Sequence, residues 1–434
     1  MADASKTERA EFRIAASKHQ KRSSHLEDSR GFSPRDLQLN VGVDDIVQVL
    51  KNSFPDRAAL LLYELGDFGH KVWAITAGDF CVSSTSMVPA ALSRHVMQLR
   101  QGLGVDEYTR SRIPVHRDAR RKNQPDDPGN STSLEQTVGQ LSSVLLPKPV
   151  RDLIVINSID HIVIVPSREL STVPFPLLYL DGAQLVDRVS TMIAPSLADL
   201  FEESGRRPNQ GPMDFRHALV VGNPLFGDTE WHLANLPGAE REAQTVANRF
   251  GVTPLIKETA TKKNVLASAR SRADIIYLAT HGVASTTNPL DDSFIALAPD
   301  DGTPGRWTAR EIQHERLSAK LVVLSACQTG LGGVHDAGIV GLSRAFQLAG
   351  CSQIVMSLWN VDDQSTANLM QHFMDLMFEG VNAPEALRRS SLNLRDNGAL
   401  PWQWSSFTVF SGCPYGSRRD RASIQMGRPG RRSH

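Results

Sequence analysis

The chain has 434 residues, of which 41% are apolar and 22% charged, and its 47 Lys and Arg are balanced by 47 Asp and Glu. This is the composition of an ordinary globular protein with room for two or three cores, and its neutrality excludes a whole-molecule field that draws it to nucleic acid or an anionic membrane. No uncharged apolar run reaches the ~20 residues of a membrane helix, and the four cysteines (Cys81, Cys327, Cys351, Cys413) form no CxxC pair of the zinc or redox type.

Residues 1–40 are polar and mixed in charge, and are expected to form a disordered arm. They lack the apolar stretch of a secretory signal. Scattered thiols fit a reducing compartment, so the expected location is cytoplasmic. ALLLYEL (59–65) and KVWAITA (71–77) predict two strands joined by a turn, and VPAALSRHVMQLRQGL predicts a helix. Residues 110–132, rich in Arg, Asp, Pro and Asn, form the clearest linker and the expected place for a nick. SLEQTVGQLSSVLL predicts another helix. From HIVIVP (161–166) onward, apolar runs alternate with helix-period stretches: HALVVGNP (217–224), AEREAQTVANRF with charges opposite its apolar side, ADIIYLATHG (273–282), KLVVLSACQTG (320–330), SQIVMSLW (352–359) and SSFTVFSG (405–412). That alternation predicts an α/β fold with βαβ units around a parallel sheet. Residues 414–434 form a basic, unstructured tail, the one segment expected to touch nucleic acid if any does.

In such a sheet, functional groups gather beyond the carboxyl ends of the strands. ADIIYLAT runs into His281 and Gly282, and LVVLSA runs into Cys327, 46 residues later. Caspases carry Q-A-C-[RQG]-G with the catalytic His about 50 residues upstream. Here Ala326, Cys327 and Gln328 fit that signature, Ser325 stands in place of Gln, and Gly330 comes one position late. A thiol with a pKa of about 8.5 is mostly protonated at neutral pH, and a neighbouring imidazole is what turns it into a nucleophile. Cys327 is the candidate nucleophile and His281 its general base. The backbone amides of Gly282 and Cys327 are candidates for the oxyanion hole. No cofactor or metal is called for.

A thiol after an apolar strand is ordinarily core, and Cys81 and Cys351 are read that way. His217, His232, His314 and His372 are read as structural. His335, eight residues after Cys327, stays open as an alternative base or substrate contact. The loop GLGGVHDAG misses the six-residue dinucleotide fingerprint, because His335 falls where the last glycine belongs. A nucleotide-responsive switch is therefore a weaker alternative. A non-catalytic scaffold is the other.

Several blocks in order, LPGAEREAQTVANRFG, ADIIYLATHG, NPLDDSFIALAPDDG, LVVLSACQTGLG, GLSRAFQLAGCSQIVMSLWNVDD and WSSFTVFSG, make the chain resemble the CHAT family from about residue 43 to 413. This is a caspase-like branch of cysteine peptidases, in the clan that includes separase-like proteases. The resemblance implies a caspase-like α/β fold with a mostly parallel central sheet and helices on both faces. A degenerate N-terminal half (43–210) would pack on a catalytic half (211–413), and the dyad would fall on His281 and Cys327. It also implies a protein substrate, a pore-forming or other effector protein among the candidates, and an activating sensor partner. The roles implied are prokaryotic antiviral defence or programmed cell death. The tetratricopeptide repeats that often accompany the family are not found in this sequence. Asp291, Asp292, His335, Asp336, Asp362 and Asp363 are the candidates for the substrate pocket, where carboxylates would favour Arg or Lys. Asp362 and Asp363 also suit the N-cap of the helix that follows them.

Overall fold

The computed structural model describes residues 6–29, 41–54, 57–105, 128–201, 213–226, 233–285, 288–300, 302–325 and 337–411. The first half contains α1 (Lys6–Ser29), α2 (Val43–Ser53), β1 (Ala58–Gly66), β2 (Gly69–Thr76), β3 (Phe80–Thr85), α3 (Pro89–Gly102), α4 (Pro128–Leu145), α5 (Lys148–Ile156), β4 (His161–Val165), β5 (Tyr179–Leu180), β6 (Ala183–Gln184), α6 (Leu185–Arg188) and β7 (Ser190–Ile193). The second contains β8 (Ala218–Pro224), α7 (Pro237–Phe250), β9 (Leu255–Lys257), α8 (Lys262–Arg270), β10 (Ile275–Ala279), β11 (Gly282–Val283), β12 (Phe294–Ala296), β13 (Arg306–Thr308), α9 (Ala309–His314), β14 (Leu321–Leu324), α10 (Ala337–Leu348), β15 (Gln353–Ser357), α11 (Asp363–Phe378), α12 (Ala383–Asp396), α13 (Pro401–Trp404) and β16 (Phe407–Ser411).

Eleven strands form one sheet in the order β3-β2-β1-β4-β7-β16-β15-β14-β10-β8-β9. The short apolar runs are buried end to end, as strands covered on both faces must be: β4, β7, β10, β14 and β16 have no exposed residue. The halves meet edge to edge, with β7 parallel to β16. β16 is antiparallel to β15, so the direction of the sheet reverses there. β1, β4, β7 and β16 run one way; β15, β14, β10, β8 and β9 run the other. Helices α7, α11 and α12 form a continuous layer that reaches from β8 to β7.

Local chemistry fixes the helices that matter here. α7 starts with Pro237 in its first turn and ends at Gly251, whose φ of 71° is the left-handed conformation of a helix stop. Gly222 of β8 lets this helix lie close on the sheet, because a Cβ there would sit 2.3 Å from the Ala243 Cβ. α11 is capped by Asp362, which accepts the Ser365 N–H at 2.9 Å.

Three expectations need correction. Residues 6–29 of the expected disordered arm form helix α1, and Phe12, Ala15, Ala16 and His19 are its buried face. Phe12 meets the Trp73 ring edge-on at 5.3 Å, and the His19 Nε2 donates to the Pro166 carbonyl at 2.9 Å. The expected linker 110–132 loses its last residues to α4, which begins at Pro128; residues 106–127, with the expected nick, lie outside the described residues. The charges of α7 do not all lie opposite its apolar side, because Glu242 is buried. The basic tail also lies outside the described residues. Among the described residues no helix is long and apolar enough to cross a membrane.

Candidate active site

β10 and β14 are parallel neighbours, and each paired residue on β14 is 46 positions after its partner, Leu278 lying beside Leu324. That offset equals the separation of His281 and Cys327 in the sequence. Cys327, His335 and Asp336 lie outside the described residues, and the chain after β14 is described as far as Ser325.

His281 follows β10 directly and is 5% exposed. Its Nε2 is 2.8 Å from the Ala234 carbonyl oxygen. A carbonyl only accepts, so Nε2 carries the ring hydrogen, and Nδ1 is the basic nitrogen of the neutral ring. The ring also lies against Phe226, with 5.0 Å between centroids. Burial lowers the imidazole pKa, while the Ala234 bond and the nearby Asp363 carboxylate pull it back up. The Ala296 N–H bonds to the His281 carbonyl at 2.8 Å. In an antiparallel ladder the next pair, Gly282 opposite Ile295, is then a non-hydrogen-bonded one, which turns the Gly282 N–H away from β12.

The carboxylates expected in the substrate pocket divide. Asp291, before β12, is engaged by Arg310 of α9 in a two-point ion pair (2.6 and 2.8 Å), and that pairing leaves it poorly suited to a substrate cation. Asp292, beside it, is exposed. Asp362 spends one oxygen on the α11 cap and the other on Gln403, at 3.0 Å. Asp363 is exposed and within electrostatic reach of His281. A Cβ added at Gly238 would lie 3.3 Å from the Asp363 Cβ, so the first turns of α7 and α11 meet there.

Other side chains are spent on structure. Cys351 is buried, and its thiol is pushed well up by desolvation; the half-buried Cys81 thiol is pushed up to about 11. His217, His314 and His372 direct ring nitrogens at Asp214, the Arg310 carbonyl and the Ser390 hydroxyl. Among the described residues no three His, Cys, Asp or Glu side chains gather to hold a metal ion.

The sequence reading missed Glu242. This residue of α7 accepts a hydrogen bond from the Tyr277 hydroxyl at 2.5 Å, and burial pushes its carboxyl up to about 7. The signal was a charge one turn before Val246, on the apolar stripe of an amphipathic helix.

The CHAT domain model matches residues 135–412. The chain belongs to the CHAT-domain family. The match covers the sheet from β4 to β16 and begins well after residue 43, where the resemblance was expected to start. Tetratricopeptide repeat protein 28 of Mus musculus is 27% identical over 292 residues, and that of Homo sapiens is 26% identical over the same length. The alignment takes in 57% of this chain and 12% of each relative, so the CHAT chain spans about an eighth of the curated relatives it matches. A Saccharomyces cerevisiae separase–securin complex aligns with 82% of this chain and 30% of that one, at a TM-score of 0.51 and 10% identity. The fold is caspase-like: an α/β protein with a large, mostly parallel sheet between helices.

Proposed function

We propose that this CHAT chain is a cysteine endopeptidase with Cys327 as nucleophile and His281 as general base. The observation that carries the reading is the register of β10 and β14, whose 46-residue offset is the one that brings positions 281 and 327 level if both strands run on. A neutral ring with Nε2 tied to Ala234 offers Nδ1 to a thiol. Nδ1 takes the proton from the Cys327 Sγ as the sulfur bonds to the scissile carbonyl carbon. The resulting oxyanion is met by backbone N–H groups, with Gly282 as the described candidate; losing one such donor typically costs about 10²–10³ in rate. The imidazolium then gives its proton to the departing amine, and water cleaves the thioester with the same base.

Asp363 is the best placed carboxylate for a basic residue before the cut, being exposed and near His281, whereas Asp291 and Asp362 are engaged. By family likeness, the substrate is a cellular protein and activity waits on a sensor partner, in a defence or cell-death setting. A proteome-scale cleavage screen, wild type against Cys327→Ala with candidate partner proteins present, tests this. The expected result is a set of cuts unique to wild type and enriched after Arg or Lys. Identical cuts in both samples, together with equally slow alkylation of all four thiols, would reject the peptidase.

A further inference from the structure

Directly under the two strand ends lies a polar cluster that the dyad chemistry does not use. Glu242 is 8% exposed, Ser325 5%, and Tyr277 fully buried. The Tyr277 hydroxyl donates to the Glu242 Oε1 at 2.5 Å. The Ser325 hydroxyl lies within electrostatic reach of both groups without a well-formed hydrogen bond of its own. Tyr277 is four residues before His281, and Ser325 is two before Cys327. One carboxyl on α7 is therefore bonded to β10 and faces the hydroxyl that follows β14, just short of the candidate dyad. The bridge depends on close seating, which the Gly222–Ala243 contact provides.

We propose that Glu242 is a positioning residue that acts through Tyr277 and Ser325 to set the spacing and orientation of the strand ends leading to His281 and Cys327. The proposal rests on the dyad reading and adds a control beneath it. A protonated carboxyl donates one hydrogen bond and accepts others; an ionised one only accepts. When Glu242 loses its proton, the Ser325 hydroxyl becomes a required second donor and is drawn in. Among the described residues, the charged and titratable groups facing Glu242 are Tyr277 from β10 and Asp363 from α11, and Asp363 also faces His281. β8 adds none, since its Asn223 binds Glu240, which pairs outward with Lys257. Burial holds the Glu242 carboxyl near neutrality, with the Asp363 charge adding to the effect and the two hydroxyls opposing it.

The test is the alkylation rate of Cys327 by iodoacetamide in the full chain, from pH 5.5 to 9, mapped by mass spectrometry. Cys81 serves as internal control and thermal melting as the fold check. In wild type, Cys327 should label far faster than Cys81, with a profile that carries a second inflection near pH 7 besides the one set by its own thiol. Glu242→Leu and Tyr277→Phe should slow Cys327 about ten- to a hundredfold, the scale of a small misplacement of reacting groups, with Cys81 unchanged. Glu242→Gln, which still accepts from Tyr277, should recover most of that rate and lose the second inflection, keeping the one set by the thiol. A Glu242→Gln profile that keeps both wild-type inflections overturns the proposal, and it decides the matter even if Glu242→Leu fails to fold. Should wild-type Cys327 label no faster than Cys81, the dyad reading itself falls and takes the proposal with it.

Discussion

Each half of the molecule buries a tyrosine in a sheet strand, and each hydroxyl needs a partner. In the first half Tyr63 donates to the Leu145 carbonyl at 2.9 Å. In the second Tyr277 donates to the Glu242 carboxyl. A backbone acceptor is fixed and neutral; a carboxyl titrates. Burial drives Tyr63 upward and His161 down to about 4, both away from neutrality. In the second half it brings Glu242 up to about 7, into the range where a catalyst works. The first half uses burial to silence Tyr63 and His161; the second silences Cys351 and Tyr277 in the same way and poises Glu242.

The largest effect should separate the halves outright. Cys327→Ala or His281→Ala is expected to reduce peptide cleavage by on the order of 10⁴-fold or more, whereas Tyr63→Phe leaves most of it; steady-state kinetics on a substrate from the cleavage screen decide. A substitution at His281 that spares activity would remove the basis of the contrast.

Next comes the tie between the halves. Asp199, in the turn after β7, and Arg344 of α10 form an ion pair at 2.7 Å with side chains only 2% and 3% exposed. Breaking a buried pair by removing one partner strands a charge, so Arg344→Ala should cost about 3–5 kcal/mol in denaturant unfolding. Replacing both residues by apolar ones should cost less.

Two groups shifted by burial, one in each half, give opposite pH slopes. Glu242 keeps its proton in the folded chain up to about 7 rather than 4.5. Its raised value makes stability fall as pH rises from about 4.5 to 7, by about 3 kcal/mol. His161 stays neutral down to about 4 rather than 6.5. Its lowered value makes stability fall as pH drops through that window, by a similar amount. Glu242→Gln should therefore expose the acid-side loss, and His161→Gln the loss on raising the pH, in melting curves taken between pH 4.5 and 6.5. Parallel shifts in both variants would contradict the assignment. The smallest effect is Tyr63→Phe, at about 1 kcal/mol and independent of pH in the same assay.

Long apolar runs made most of the sheet legible. HIVIVP, ADIIYLAT and KLVVL name β4, β10 and β14, because a strand covered on both faces has no choice of composition. That β10 and β14 are neighbours with a 46-residue offset was legible from the way each apolar run stops. What escaped were elements whose signal is thin. The buried face of α1 is a stripe of Phe12, Ala15, Ala16 and His19 within a charged helix, too sparse to see without the Trp73 ring it covers. β11, β12 and β13 are two or three residues long, below the length at which alternation can be read. Glu242 was hidden by a rule that is usually right, that charges face water. Its partner sits 35 residues away on another element, and no local pattern carries that pairing.

The reversal of strand direction at β16 and β15 gives the sheet two business ends that open toward opposite sides of the molecule. A protein gripping the loops beyond β4 and β7 stands clear of a peptide lying beyond β10 and β14, and the two never contend for the same ground. An input arriving on the far side can cross by the seam between β7 and β16, where Ile193 lies beside Phe410, by the layer of α7, α11 and α12, or by the Asp199–Arg344 pair.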